Sequence, residues 1–141
     1  MSEIDDITGV LEQQHTVVFT TYRRDGRPQQ SLVSAGRFED GFAFTTRMGN
    51  AKYHNLVRDP RCAMMLVGPD YRGYIVLDGD ADVRSPDNTD AEQLRLDLRA
   101  AYRSASGREH PDWDEYDQAM VEQRRVVILL RPARVVAQGL P

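Results

Sequence analysis

The sequence has few of the residues from which disulfides and metal centres are built. Cys62 is the only cysteine among 141 residues, so no intrachain disulfide can form. The three histidines, His15, His54 and His110, are far apart, and none has a cysteine or a second histidine at metal-ligand spacing. We therefore predict no metal. Cys62 lies in an apolar run after Pro60, where we expect a buried, unreactive thiol.

Long apolar runs and common catalytic fingerprints are also missing. No stretch approaches the roughly 20 apolar residues of a membrane span, and the acidic N-terminus does not resemble a signal peptide. These features predict a cytoplasmic protein without a membrane partner. No serine nucleophile motif and no GxGxxG fingerprint is present. A formal net charge of -4 argues against a nucleic-acid partner, despite the pairs Arg23-Arg24 and Arg124-Arg125.

Lysine is almost absent. Of the 18 lysines and arginines, Lys52 alone is a lysine, and it lies in the stretch FAFTTRMGNAKYHNLVRDPRCAMMLV. Apolar alternation from Phe42 predicts a strand. Gly49 and Asn50 then predict a turn that needs a permissive backbone and a helix N-cap. The helical spacing ends before Pro60, because the residue preceding a proline avoids helical geometry.

The strand end, the turn and the helix start together predict an anion site. Arg47 and Lys52 would flank the positive end of the helix dipole, and Thr45 and Thr46 would add hydroxyl groups. An ammonium is a compact charge and a guanidinium a planar fork, so one of each is a sensible pair for a phosphate. The alternative interpretation is a solvated basic turn, and the residue pattern alone leaves both open.

The remaining pattern predicts about seven strands, mostly connected by hairpins, with helices inserted between them. Asp25-Gly26 predicts a hairpin turn and Gly79 a bulge. The predicted strands are 16–22, 29–37, one beginning at Phe42, 61–67, 74–83, 126–130 and 134–137, and the first three are expected to form a meander. We interpret the whole chain, 1–141, as one mainly β domain, an antiparallel barrel with peripheral helices.

Three helices are predicted besides the one that follows Asn50. An N-terminal helix would run through Ile4, Ile7, Val10 and Leu11. Capping boxes at Thr89 with Glu92 and at Asp112 with Glu115 would start the other two. We interpret the stripe of Trp113, Tyr116 and Met120 as packing, and the alternating carboxylates Asp78, Asp80 and Asp82 as a solvated sheet face without a catalytic role.

Four segments in this order resemble a known family: DGRPQQSLVS, FAFTTRMGNAKYHNLVRDPRC, YIVLDGDADV and GREHPDWDEYDQAMVEQRRVVILLRP. They are similar to the pyridoxamine 5'-phosphate oxidase-like split barrels that bind flavins and deazaflavins, above all to the branch that uses coenzyme F420. The resemblance implies a six-stranded antiparallel split barrel that works as a homodimer, with the cofactor at the subunit interface.

The resemblance also implies which residues bind the cofactor. Ser31, Leu32, Val33 and Ser34 would run beside the deazaflavin ring, although Leu32 stands where the family often has proline. The phosphate side would be formed by one block of the chain: Thr45, Thr46, Arg47, Asn50, Ala51 and Lys52.

The function implied is an F420-dependent oxidoreductase that transfers a hydride between coenzyme F420 and a small conjugated organic substrate. Because the cofactor carries the hydride, no catalytic acid, base or nucleophile has to be assigned to the chain. Two alternatives remain at this point. One is an FMN-binding oxidoreductase of the same fold, and the other is a non-catalytic protein that binds a flavin or deazaflavin.

Overall fold

The computed structural model describes residues 15–68 and 71–139, so the predicted N-terminal helix lies outside the described chain. Seven strands and three helices follow one another within it. Their bounds are β1 Thr16–Tyr22, β2 Pro28–Ser34, β3 Gly36–Phe38, β4 Gly41–Arg47, α1 Ala51–Arg58, β5 Arg61–Val67, β6 Tyr74–Arg84, α2 Ala91–Ser106, α3 Trp113–Glu122 and β7 Arg125–Gln138. None of the helices in the described ranges is long and apolar enough to cross a membrane.

All seven strands join one antiparallel sheet in the order β2-β1-β5-β6-β7-β4-β3. The two outermost strands, β2 and β3, are neighbours in the chain and are separated only by Ala35. Because one residue links its two edges, the sheet has to curl into a barrel that is split between them. This confirms the predicted antiparallel barrel with peripheral helices, with seven strands where the family resemblance implied six.

The predicted strand 29–37 is in fact two strands. Its backbone leaves the ladder with β1 at Ala35, whose N–H donates to the carbonyl of His15 at 2.9 Å. The predicted meander of the first three strands is therefore wrong, because β4 pairs with β3 and β7 and not with β2. Local alternation predicts a strand but does not name its partner, and the partner here comes from the far end of the chain.

The last two predicted strands are one strand, β7, of fourteen residues. Pro132 does not end it, because the proline lies beyond Leu130, the last residue that pairs with β4. The β6–β7 register also shifts there, from Asp78 opposite Arg134 to Gly79 opposite Pro132. This is a bulge, and it confirms the prediction made for Gly79. A bulge is one of the few places where a strand tolerates proline.

The sheet has a different partner on each face. The barrel interior is filled by apolar side chains of alternate strand positions, and Phe19 and Phe44 meet there edge to face with ring centroids 4.6 Å apart. The outer face of β4 and β7 packs against α2 and α3 through Ala43, Val127 and Leu129. Both faces of these two strands are thus buried, which explains why VVILL reads as a continuous apolar run.

Helix starts differ in detail from the predicted capping boxes. Helix α2 is capped by Asp90, whose carboxylate accepts from the N–H of Gln93, so the predicted box at Thr89 and Glu92 is wrong by one residue. Helix α3 begins as predicted, with the Asp112 carboxylate accepting from the N–H of Glu115 at 3.1 Å.

The structure also shows the surroundings of Cys62 and of the alternating carboxylates on β6. Burial raises the pKa of the Cys62 thiol to about 12, so this side chain is an inert part of the core. Asp78 and Asp80 are exposed, as predicted for a solvated sheet face. Asp82 instead bonds to Arg84 and to Arg131. These ion pairs give Asp82 a structural role.

Candidate functional site

A cavity of about 780 Å³ opens between the barrel and the two helices α2 and α3. Seven of the ten residues predicted to bind a cofactor line it: Leu32, Val33, Ser34, Thr45, Thr46, Asn50 and Lys52. They come from β2, β4 and the start of α1. β4 and α1 follow one another in the chain, whereas the fold brings β2 beside them. Volumes of this size are typical of small-molecule and cofactor sites.

Ser31, Arg47 and Ala51 are not part of the cavity wall. Arg47 is exposed at the end of β4, and Ala51 is exposed at the first position of α1. The Ser31 hydroxyl is buried and has no hydrogen-bond partner within the described chain. A buried hydroxyl without a partner is uncommon in native proteins.

Arg125 is the main addition to the predicted site. The β4–β7 register places it opposite Arg47, and its guanidinium Nη1 lies 3.5 Å from the carbonyl oxygen of Thr45, near the helix start that carries Lys52. Lys52 and Arg125 are both half-buried and both line the cavity. Sequence reasoning missed Arg125, because only strand pairing brings it to this site.

Burial and neighbouring positive charges disfavour the charged forms of Lys52 and Arg125. Partial burial lowers the pKa of Lys52, and the positive charge of Arg125 lowers it further. Burial and the charge of Arg47 likewise lower the pKa of Arg125. No carboxylate of the described residues lies within ion-pair distance of Lys52 or Arg125, whereas the half-buried Arg84 and Arg99 are each ion-paired. The cavity thus holds excess positive charge that an anion would neutralise.

The N-terminus of α1 adds hydrogen-bond donors to the same wall. Asn50 occupies the N-cap position as predicted, but its side chain makes no capping bond and instead donates to the Thr46 hydroxyl at 2.8 Å. The first N–H groups of the helix are therefore free of a side-chain acceptor and available to an anion. Gly49 does not use the left-handed backbone expected of it, and a Cβ there would meet no atom within 4 Å.

A buried polar network fixes the position of α1. The Asn55 amide donates to the Thr21 hydroxyl at 3.1 Å and accepts from Arg58, which also donates to the carbonyl of Tyr22 at 2.7 Å. Asn55 and Thr21 are buried, so these bonds hold the helix against β1. Lys52 therefore stands on a rigid support, which a functional charge requires.

Helices α2 and α3 form the other wall, which contains residues that the sequence did not predict as part of a site. Tyr102, His110 and Tyr116 line the cavity there, together with Met120. The stripe of Trp113, Tyr116 and Met120 does pack as predicted, since Tyr116 is buried and its hydroxyl donates to the carbonyl of Leu98 at 2.8 Å. Two members of the stripe nevertheless also face the cavity.

Comparison with known proteins identifies relatives. The family model of pyridoxamine 5'-phosphate oxidase matches residues 4–139. The pyridoxine/pyridoxamine 5'-phosphate oxidase of Cupriavidus necator is 27% identical over 122 residues, which is 84% of this chain and 58% of that protein. The chain therefore spans less than two thirds of the length of this curated relative.

Solved structures show the same barrel. The conserved hypothetical protein Rv2991 from Mycobacterium tuberculosis has a TM-score of 0.74 at 21% identity, over 100% of this chain and 89% of that one. A protein named F420 reductase has a TM-score of 0.61 at 26% identity, over 91% of this chain and 94% of that one. Because the family match covers nearly the whole described fold, the chain belongs to the pyridoxamine 5'-phosphate oxidase family.

Proposed function

We propose that the protein is an F420-dependent oxidoreductase that transfers a hydride between coenzyme F420 and a small conjugated organic substrate. The observation that carries the proposal is the pair of half-buried, unneutralised cations, Lys52 and Arg125, in a cavity of cofactor size. The likeness to an F420 reductase at 26% identity supports the choice of cofactor.

The donors in the cavity fit a cofactor that presents a ring and a phosphate. Lys52, Arg125 and the free N–H groups of α1 would hold the phosphate through charge-assisted hydrogen bonds, with the hydroxyls of Thr45 and Thr46 beside them. The β2 segment Leu32 to Ser34 would lie along the ring. Among the described strands β2 pairs only with β1, so its other edge has backbone groups available for the polar edge of a ring.

Bound in this way, the cofactor supplies the hydride. The residues of the chain bind and orient the two reactants and exclude water from between them. Leu32, 72% exposed on β2, is an apolar surface against which a planar ring can pack. The barrel wall that carries the cations and the helical wall that carries the aromatic residues thus divide cofactor binding from substrate binding.

We further propose a homodimer, with the cofactor site at its interface. An apolar row crosses the outer sheet face that α2 and α3 leave uncovered. It consists of Leu32, Val18, Met65, Val76 and Val136, each directly opposite the next in the strand register. Its two ends are 72% and 38% exposed, and Leu32 also lines the cavity, so a second copy seated on this row would border the site.

FMN is the alternative cofactor, since it too presents a ring and a phosphate to the same donors. To distinguish FMN from F420, the protein is produced in a host that makes both cofactors, and the molecule that co-purifies is identified by absorbance and mass spectrometry. The proposal expects bound F420, and tight binding on titration with F420. Binding of FMN without binding of F420 would make FMN the cofactor in place of F420. Binding of neither would refute cofactor chemistry at this cavity.

A further inference from the structure

His110 lies where the loop between α2 and α3 meets the cavity, and its half-buried ring is part of the cavity wall. Three aromatic rings surround it, with centroid separations of 5.2 Å to Tyr102, 5.7 Å to Trp113 and 5.3 Å to Tyr116. Arg103 in turn lies over the Trp113 ring, at 4.6 Å from the ring centroid. This packing restricts the orientation of the imidazole.

A backbone hydrogen bond determines which ring nitrogen carries the proton. The N–H of Asp112 donates to Nδ1 of His110 at 3.0 Å. A backbone amide nitrogen only donates, so Nδ1 must be the acceptor, and the neutral imidazole carries its hydrogen on Nε2. Among the described residues, Nε2 has no hydrogen-bond partner. The chain therefore keeps one N–H donor of His110 unused beside the cavity.

Two of the neighbouring donors on this wall are already occupied. The Tyr116 hydroxyl donates to the carbonyl of Leu98, and burial raises the pKa of that phenol to about 12. The Ser106 hydroxyl donates to the carbonyl of Tyr102 at 2.7 Å. The positive groups of the opposite wall, Lys52 and Arg125, belong to the anion site. His110 Nε2–H is thus a donor that is both oriented and available for a substrate.

We propose that His110 is a catalytic residue, whose Nε2–H donates a hydrogen bond to the carbonyl oxygen of the conjugated substrate during hydride transfer. This inference rests on the proposed function. A hydride that adds to the β-carbon brings two electrons, the π electrons of the carbon–carbon double bond shift toward the carbonyl, and the oxygen becomes an enolate. His110 stabilises that negative oxygen and keeps its own proton. Water then protonates the α-carbon and the carbonyl reforms, which completes a two-electron reduction.

A neutral imidazole suits this role because it polarises a carbonyl without surrendering a proton. A preorganised donor aimed at developing charge contributes most where water is excluded, and removing one such donor typically costs about 10²- to 10³-fold in the rate of the chemical step. His110→Phe preserves the aromatic packing and removes both nitrogens. We expect a loss of about that size in its single-turnover hydride-transfer rate.

The test that separates this inference from the proposed function uses the full chain without cofactor. Its probe is 4-nitrophenolate, a planar anion that resembles an enolate, with 4-nitrotoluene as the uncharged analogue. Inorganic phosphate is added at a concentration that saturates the Lys52–Arg125 cluster. We expect His110→Phe to weaken nitrophenolate binding by about tenfold or more and to leave nitrotoluene binding unchanged. His54→Phe, the same substitution at an exposed position of α1 outside the cavity wall, should leave both unchanged.

Nitrophenolate binding that is equal in wild type and His110→Phe would overturn the inference, whichever cofactor the protein uses. If His110→Phe does not fold, ¹⁵N NMR of the wild-type histidine side chains decides. The inference requires a His110 signal pattern with a protonated Nε2 and an unprotonated Nδ1, and the reverse tautomer would contradict it. Failure of F420 to bind would refute the proposed function without altering either readout.

Discussion

Partial burial lowers the pKa of Lys52, and Arg125 lowers it further, although the two residues come from opposite halves of the chain and from different secondary-structure elements. Lys52 stands in the first turn of α1, and Arg125 begins β7. Placing two like charges at one half-buried wall destabilises the free protein, and an anion between them would offset that cost. The cation pair is therefore better explained by a ligand than by folding.

Removing Lys52 should weaken cofactor binding far more than it affects folding. A charge-assisted hydrogen bond contributes about 1.5–3 kcal/mol, so Lys52→Ala should lose roughly ten- to a hundredfold in affinity for F420. Lys52→Arg should recover part of this loss, because a planar fork replaces a compact charge. Affinity by fluorescence titration, measured beside the melting temperature, checks the expectation.

Arg125→Ala should cause a similar loss, and the double variant should be non-additive if both side chains contact one phosphate. Arg47→Ala should have a smaller effect, since Arg47 is exposed and outside the cavity wall. The matched control is Arg23→Ala in the exposed β1–β2 turn, which should bind as wild type. Unchanged affinity in well-folded Lys52→Ala would mean that Lys52 is only a solvated surface charge.

Assembly should depend on the uncovered apolar row. The protein is expected to run at twice 16.0 kDa by light scattering, and Val136→Glu should shift it toward the monomer, because a charge would be buried at the interface. Leu96→Glu is the control, since Leu96 is 46% exposed on α2 and outside the row. A wild-type monomer that binds cofactor at full affinity would contradict the proposed interface.

Substitution by alanine should have different effects at two glycines. A Cβ at Gly36 would overlap the backbone carbonyl of Ser104, so Gly36→Ala should push α2 away from β3 and cost about 1–3 kcal/mol of unfolding free energy. Gly49→Ala meets no atom within 4 Å and needs no unusual backbone, so its stability should match wild type. Urea denaturation of both variants measures the difference, and equal midpoints would be inconsistent with the close helix–strand approach.

Asp117 should contribute stability that acid removes. Hydrogen bonding to Arg99, at 2.9 Å through Nε, lowers the pKa of Asp117 below its ordinary value. A carboxylate whose pKa is lowered by folding stabilises the native state above its unfolded pKa of about 3.9, and this contribution disappears as pH falls through the folded pKa. Asp117→Asn should therefore cost about 1 kcal/mol at pH 7 and flatten the fall in stability below about pH 4. If the unfolding free energies of the two proteins fell in parallel below about pH 4, this expectation would be contradicted.

Local features of the fold were predictable because local forces produce them. The Asp25-Gly26 turn forms as expected, with Gly26 at φ 85° and its N–H donating to the carbonyl of Arg23 at 2.9 Å. The strand, turn and helix around Lys52 also form where the pattern placed them. Each depends on residues within a few positions of one another.

Features that depend on pairing between distant strands were not predictable. The division of β2 from β3 at Ala35 and the pairing of β4 with β7 arise from closure of the barrel, which hydrophobic alternation does not encode. The same pairing brings Arg125 to the anion site, so Arg125 could not be predicted from the sequence as a member of the cation pair. The helical wall was missed because Tyr116 and Met120 serve both the packing and the cavity.

The pKa of Lys52, measured with and without F420, shows whether the cofactor places an anion beside Lys52. Lys52 is the only lysine, so ¹³C-labelled lysine yields one side-chain signal whose titration belongs to that residue. We expect a pKa below the ordinary value of about 10.4 in the free protein, and a rise when F420 binds, because a phosphate beside the ammonium favours its charged form. A Lys52 pKa that stays the same while F420 is bound would contradict it.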